Sequence, residues 1–400
     1  MTTFYKISGI PFEDYYITKD LYTDGGLWSW GWNFYGQLGD NTSGTGTYKS
    51  SPVQTVTYGT NWKSLDCSSN YTAAIKTDGT LWLWGQNNLG QLGDTTLTDR
   101  SSPIQTVAYG TNWKLVSAGH QHTAAIKTDG TLWLWGRGNE GQLGDNNITG
   151  KSSPVQTVTF GTNWKLVSCG YADYTTAIKT DGTLWSWGDN SAGQLGDNTS
   201  GNGTGKSSPI QTVTYGTNWK SVSCGYQHTA AIKTDGTLWL WGSNIQGQLG
   251  INAAGTNRSS PVQTVAYGTN WKLVNCGRYH TTAIKTDGTL WLWGQNNNGQ
   301  LGDNTSGGNK PSPVQTVAYG TNWKSVSCGY YNNAAIKTDG TLWLWGRNNY
   351  GQLGNNTSGA GTDKSSPVQT VAYGTNWKSV YSGFQHTSAV YFDDNPSIIS

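Results

Sequence analysis

Residues 72–93 read TAAIKTDGTLWLWGQNNLGQLG. Within them Leu81-Trp82-Leu83-Trp84 places leucines on one side of an extended chain and tryptophans on the other, because side chains in a strand alternate faces. A strand that is apolar on both faces needs cover on both, so it belongs inside a stack of sheets. Thr77-Asp78-Gly79 just before it supplies the positive φ angles of a tight hairpin, which makes residues 73–76 the partner strand.

The block recurs. Trp-x-Trp-Gly begins at Trp28, Trp82, Trp133, Trp185, Trp239, Trp291 and Trp343, at intervals of 51 to 54 residues, and Gly-Gln-Leu-Gly follows each copy after four residues. Ser-Pro-(Val/Ile)-Gln-Thr-Val and Gly-Thr-Asn-Trp-Lys repeat with the same period. Self-similarity at a fixed period of this length fixes an architecture of stacked, equivalent units. The three repeated positions hold 21 of the 22 tryptophans, and Trp32 is the other.

One period, residues 113–158, reads as four strands at 113–118, 123–127, 132–136 and 154–158, an antiparallel meander with no segment of helical apolar periodicity. The chain enters the repeat in its middle, at Asp24-Gly25, without the strand that should precede the turn. That strand stands at the other end, where His386-Thr387-Ser388-Ala389-Val390-Tyr391 matches residues 122–127. The expectation is an all-β, seven-bladed β-propeller of four-stranded antiparallel blades, closed by pairing of the N- and C-terminal strands so that no sheet edge is left open. Its domain spans residues 22–392, flanked by an arm (1–21) and a tail (393–400). The arm shares nothing with the repeats and carries Phe4, Tyr5, Phe12, Tyr15 and Tyr16, which suits an attachment segment or packing against the propeller's side.

Composition narrows the function. Charged residues are 12% of the chain, against about 25% in an ordinary domain, so packed aromatics and turns must supply the order. Net charge is +2 with no basic run, and no nucleic-acid partner is expected. No apolar stretch approaches the roughly 20 residues of a membrane span, so membrane insertion is not expected. Residues 1–10 carry one lysine and no apolar core, so no cleaved signal peptide is expected.

The five cysteines, Cys67, Cys169, Cys224, Cys276 and Cys328, share one repeat position, filled elsewhere by Ala118 and Ser382, and read as small buried hydrophobes. His122, His228, His280 and His386 also share a position and read as structural hydrogen-bond partners; His120 is additional. No nucleophile with an adjacent base breaks the repeat, so the chain is not expected to be an enzyme. Loops such as Asp40-Asn41-Thr42-Ser43-Gly44 carry too few carboxylates for calcium, and neither metal nor cofactor is expected. The repeated lysines of Gly-Thr-Asn-Trp-Lys and Ile-Lys-Thr-Asp-Gly read as a solvated ring.

Alternating connections put the constant Thr-Asp-Gly and Gly-Thr-Asn turns at one end of the ring and two variable loop sets at the other. At the variable end Trp32, Phe34, Tyr35, Tyr71, His120, Arg137, Tyr174, Tyr226, Arg278, Tyr279, Tyr330, Tyr331, Arg347, Tyr350 and Phe384 are the candidate binding residues. Tyr and Arg dominate binding hot spots because they bury large areas and still hydrogen-bond. Neutral drift among turn-forming residues is the alternative.

The pattern Gly-x-x-His-Thr, Asp-Gly, Trp-Gly-x-Asn-x-x-Gly-Gln-Leu-Gly and Pro-(Val/Ile)-Gln-Thr-Val, as in residues 225–265, resembles the regulator of chromosome condensation repeat family over residues 22–392. The resemblance implies a seven-bladed propeller, and members include guanine-nucleotide exchange factors, an inhibitor protein and a plant ultraviolet-B photoreceptor. The photoreceptor's Gly-Trp-Arg-His-Thr signature reads here as Gly277-Arg278-Tyr279-His280-Thr281, which argues against light sensing. The near-identical copies, SSPVQTVAYGTNWK and HTAAIKTDGTLWLWG among them, together with the aromatic arm, resemble repeat proteins of large marine bacteriophages. That resemblance implies a virion component on a tail, baseplate or capsid, held to virion proteins through residues 1–21 and contacting a host surface protein or glycan. A free cytoplasmic or secreted propeller acting as inhibitor or exchange factor is the rival expectation.

Overall fold

The computed structural model describes residues 25–392, apart from 57–58, 60, 108–109, 159–160, 214–215, 267, 319 and 373. The expected arm and tail lie outside the described residues. Among the described residues there is no helix, and so none long and apolar enough to cross a membrane. They form seven four-stranded antiparallel sheets arranged as a seven-bladed β-propeller.

A representative blade has strands Trp113–Ala118, His122–Lys127, Leu132–Gly136 and Lys151–Gln156. The first strand of every blade is innermost and contacts its counterparts in the two neighbouring blades. The outermost strand differs from expectation. It begins at Lys151, paired with Gly136 across a register shift, and ends at Gln156. Val158 N–H turns away to donate to Gly144 O at 3.0 Å, so the Gly-Gln-Leu-Gly turn captures the residues that the repeat pattern assigned to the sheet. Pro154 is tolerated within this strand because an outer edge leaves proline's missing N–H without consequence.

The closing blade is assembled from both ends of the ring, in the order Lys49–Gln54, Gly26–Gly31, His386–Tyr391, Trp377–Ser382. Leu27 pairs with Val390 and Gly31 with His386, as the split hairpin requires.

The alternation of Leu and Trp sets the packing between blades. Leu81 and Leu83 pack with Trp113, Val116 and Trp135 of the next blade, while Trp84 packs with Trp62, Leu65, Leu27 and Val390 on the other side. The second tryptophan of each pair is fully buried and its indole N–H donates to the glutamine carbonyl of the preceding Gly-Gln-Leu-Gly: Trp84 to Gln37 O at 2.9 Å, Trp241 to Gln194 O at 2.9 Å and Trp30 to Gln352 O at 2.9 Å. The motif is thus a latch between blades. Its last glycine has no alternative, since a Cβ on Gly39 (φ +69°) would stand 2.7 Å from Trp84 Nε1.

Candidate binding face

The loops sort by end. Trp113 N–H donates to Gly79 O at 3.0 Å, which seats the constant Asp-Gly hairpin of one blade against the turn leading into the next. At the opposite end, the short loop after each innermost strand is bonded to the long loop after the third strand, as in Arg137 N–H to Gln121 O (2.8 Å) and Arg347 N–H to Tyr331 O (3.0 Å). The inner loops also bond to one another around the axis: Tyr171 to Gly225 O, Ala172 to Tyr226 O, Tyr226 to Arg278 O, Tyr330 to Gly383 O and Phe384 to Ser68 O. The variable loops therefore form one pre-organised rim.

Two aromatic groups stand on it. The first sits at the axis. Tyr171 and Tyr330 belong to blades three positions apart in the ring, yet their rings meet edge-on at 6.1 Å, and Phe384 lies 4.0 Å from Tyr330. These three side chains cross the channel mouth. The loop that carries Tyr171 is one residue longer than its counterparts. Around them is a recess of about 90 Å³ lined by Ser69, Asn70, His120, Tyr171, Tyr226, Tyr330 and Phe384, with a residue from every blade but the one that carries Arg278. Arg278 instead lies over four rings, 5.4 Å from Tyr226, 4.7 Å from Tyr279, 4.1 Å from Tyr330 and 5.5 Å from Tyr331, and donates through Nη1 to the Tyr331 hydroxyl. Burial raises the Tyr279 and Tyr330 phenols against the pull of Arg278, so they remain protonated donors.

The second group is peripheral. Trp32 stacks on Phe34 at 5.8 Å and meets Tyr350 of the adjacent blade at 4.3 Å; Phe34 touches Tyr35, and Tyr48 touches Tyr350. Phe34 and Tyr48 are 42% and 43% exposed, so this patch faces solvent.

Arg137 has a different environment. It forms an ion pair with Asp173 at 2.8 Å, beside Gln142 Nε2 at 3.0 Å. Burial pushes Asp173 up to about 6 against the pull of Arg137. His120 is partly exposed and burial lowers its pKa, with Arg137 adding to the effect.

Two candidates do not belong to the face. Tyr71 and Tyr174 are fully buried, and their hydroxyls donate to His122 O (2.7 Å) and His228 O of neighbouring blades. They fill the position that histidine occupies elsewhere, so the cause of their burial is the framework. The histidines themselves are buried, with Nε2 against Thr175, Thr281, Asn333 and Thr72 of the next blade. Burial drives His122, His228 and His386 down to about 3 and His280 to about 4, and all four are neutral struts. The cysteines are free and buried. Among the described residues no group of three or more His, Cys, Asp or Glu is placed to hold a metal ion.

Residue-by-residue reading missed Tyr48, although it breaks the repeat: Asp99, Gly150, Gly205, Asn257, Asn309 and Asp363 stand where it does. It also missed a ring of polar side chains on the innermost strands. Ser117, Ser168, Ser223, Asn275 and Ser327 each accept the backbone N–H of the next blade at 2.9 to 3.1 Å. Asp66 accepts from Ala118 and also from its own neighbour Cys67, because Tyr381 stands where Cys67's partner would come from.

Comparison with known proteins agrees with this geometry. A model of the RCC1-like domain matches residues 18–319 and 164–395. The ultraviolet-B receptor UVR8 of Arabidopsis thaliana is 34% identical over 281 residues, 69% of this chain and 62% of the receptor, so the match spans less than two thirds of that relative. The mitochondrial RCC1 domain-containing protein RUG3 of the same plant is 28% identical over 357 residues, 82% of this chain and 79% of its own. The human E3 ubiquitin-protein ligase HERC2 is 30% identical over 281 residues, only 6% of its length. Among solved structures, Prp20p of Saccharomyces cerevisiae, described with its binding properties to Gsp1p and histones, superposes with a TM-score of 0.80 at 20% identity, covering 93% of this chain and 92% of its own. Yeast RCC1 bound to Kap60 gives 0.82 at 21% identity, covering 93% and 90%.

Proposed function

We propose that this chain, which belongs to the RCC1-like domain family, is a non-enzymatic propeller that binds a protein partner through the rim of variable loops. The observation that carries the reading is the axial cluster, where Tyr226, Arg278, Tyr279, Tyr330, Tyr331 and Phe384 from four blades converge into one partly exposed aromatic surface while the opposite end repeats blade after blade. Aromatic and arginine side chains held rigid before binding lose little entropy when a partner docks. Protein binding by Prp20p supports the class of function, and an exchange-factor or inhibitor role is the form in which this chain acts if it is free in solution.

The finer reading is a bacteriophage virion component attached through residues 1–21, resting on the near-identity of the repeats and on the aromatic arm. Mass spectrometry of purified virions checks it, and absence of the chain from the particles removes it. The binding face is tested by comparing partner capture by the wild type, Tyr226→Ala, Tyr279→Ala and the constant-end change Lys233→Ala. Loss in the first two variants alone is expected. Loss only with Lys233→Ala places the interface at the other end.

A further inference from the structure

We propose that Arg278 and Arg347 together receive a carboxylate from an acidic segment of a partner protein, with Tyr331 as the platform between them. The inference deepens the protein-binding reading and rests on it.

Both guanidinium groups lie against the Tyr331 ring, Arg278 at 5.5 Å and Arg347 at 5.4 Å. Among the described residues neither has a carboxylate within ion-pair distance, whereas Arg137 on the same rim has Asp173 at 2.8 Å. Two like charges thus share one aromatic ring with no anion, and an arriving carboxylate relieves their repulsion. The ring faces lower the cost of holding the Arg278 cation in a partly dry place but use none of its N–H donors. Of five donors, Arg278 gives one to the Tyr331 hydroxyl through Nη1, and its Nε is buried without any partner. Arg347 is half-satisfied, with Nε and Nη2 at 3.2 and 2.9 Å from the Asn349 side-chain oxygen once that amide is turned.

A guanidinium whose plane is fixed before binding matches a carboxylate better than a flexible ammonium does, because its parallel donors fit the two oxygens. The surroundings favour a protein over a polyphosphate. A nucleic-acid backbone needs a stripe of cations, but Glu140, Asp173 and Asp189 share this end of the ring and the chain's net charge is +2. A few carboxylates flanked by apolar residues suit two arginines set in an aromatic bed.

The experiment titrates the full chain with a fluorescently labelled oligoglutamate peptide, followed by anisotropy, beside oligoglutamine and a single-stranded oligonucleotide as comparison probes. Oligoglutamate is expected to bind and oligoglutamine not to. Arg278→Gln and Arg347→Gln should each weaken oligoglutamate binding at least about tenfold, as truncating one partner of a hydrogen-bonded charge pair does. Arg278→Lys keeps the charge and loses the fork; it should weaken binding while the melting temperature stays that of the wild type, and it serves if the glutamine variant does not fold. Oligoglutamate binding that is absent, or unchanged in all three variants, overturns the proposal. Tighter binding of the oligonucleotide with the same sensitivity to Arg278 assigns the arginines to phosphate instead. Conversion of a dimer to a monomer by Arg278→Gln in sedimentation would show that a second copy supplies the carboxylate, which also overturns it. If oligoglutamate fails while Tyr226→Ala and Tyr279→Ala still abolish partner capture, only the carboxylate inference falls and the binding face stands.

Discussion

Asp66 is the one carboxylate in the ring of side chains that joins the innermost strands, and burial raises it from 3.8 to about 6 despite two backbone donors. A raised carboxyl binds more protons folded than unfolded between these values, so its contribution falls as pH climbs through that window, by about 3 kcal/mol in all. The buried histidines act with the opposite sign: lowered from 6.5 to about 3 or 4, they stabilise above pH 6.5 and lose that contribution as pH falls. Four such groups outweigh Asp66 and Asp173, so the protein should gain stability from pH 4 to pH 7. Asp66→Asn should steepen the gain, which calorimetric melting across this range will read; an unaltered slope would show that Asp66 does not titrate as a buried acid. A second residue-scale contrast lies within one strand. Trp241 is fully buried, whereas Trp239 is partly exposed and covered by Lys233 at 4.6 Å. Trp241→Ala should cost about 3 to 5 kcal/mol and Trp239→Ala clearly less, by chemical denaturation. Equal costs would contradict the packing.

The element that decides cohesion is the Gly-Gln-Leu-Gly turn. Gly196 (φ +69°) would place a Cβ 2.7 Å from Trp241 Nε1, the group that donates to Gln194 O, whereas Gly203 (φ +80°) in the following loop has nothing within 4 Å. Both substitutions to alanine carry the backbone strain of a positive φ, roughly 1 kcal/mol or more. Only Gly196→Ala also pushes a latch apart. Its loss of stability should exceed that of Gly203→Ala in parallel urea titrations, and matching losses would reduce the latch to simple backbone strain. The lysines of the second strand form another element-level device. Lys76, Lys127, Lys179, Lys233, Lys285 and Lys337 each lie over two tryptophans at 4.3 to 5.0 Å, and Tyr391 takes their place against Trp377 in the closing blade. The repeated cations are thus seated on rings as well as solvated.

At the scale of the whole molecule, His386–Tyr391 hydrogen-bonds on both sides, to Gly26–Gly31 and to Trp377–Ser382. Deleting residues 384–400 would open two strand edges and uncover Leu27 and Trp377, so cooperative melting should be lost and aggregation follow. A truncated chain that melts as the wild type does would exclude closure by this strand. Blade number, strand order, closure and the two-sided Leu/Trp packing were legible in the sequence because each follows from local alternation repeated at one period. The constant and variable ends were legible too, since antiparallel connections must alternate. Contacts across the axis were not. Tyr171 meets Tyr330, Arg278 gathers four tyrosines from three blades, and Tyr71 is buried with its repeat mates His122, Tyr174 and His228 and does not join the rim. The sequence by itself determined the ring, because every blade obeys the same short-range rules; only the tertiary structure decided which loop residues meet, because ring curvature brings together residues separated by 50 or more positions whose pairing no local pattern encodes.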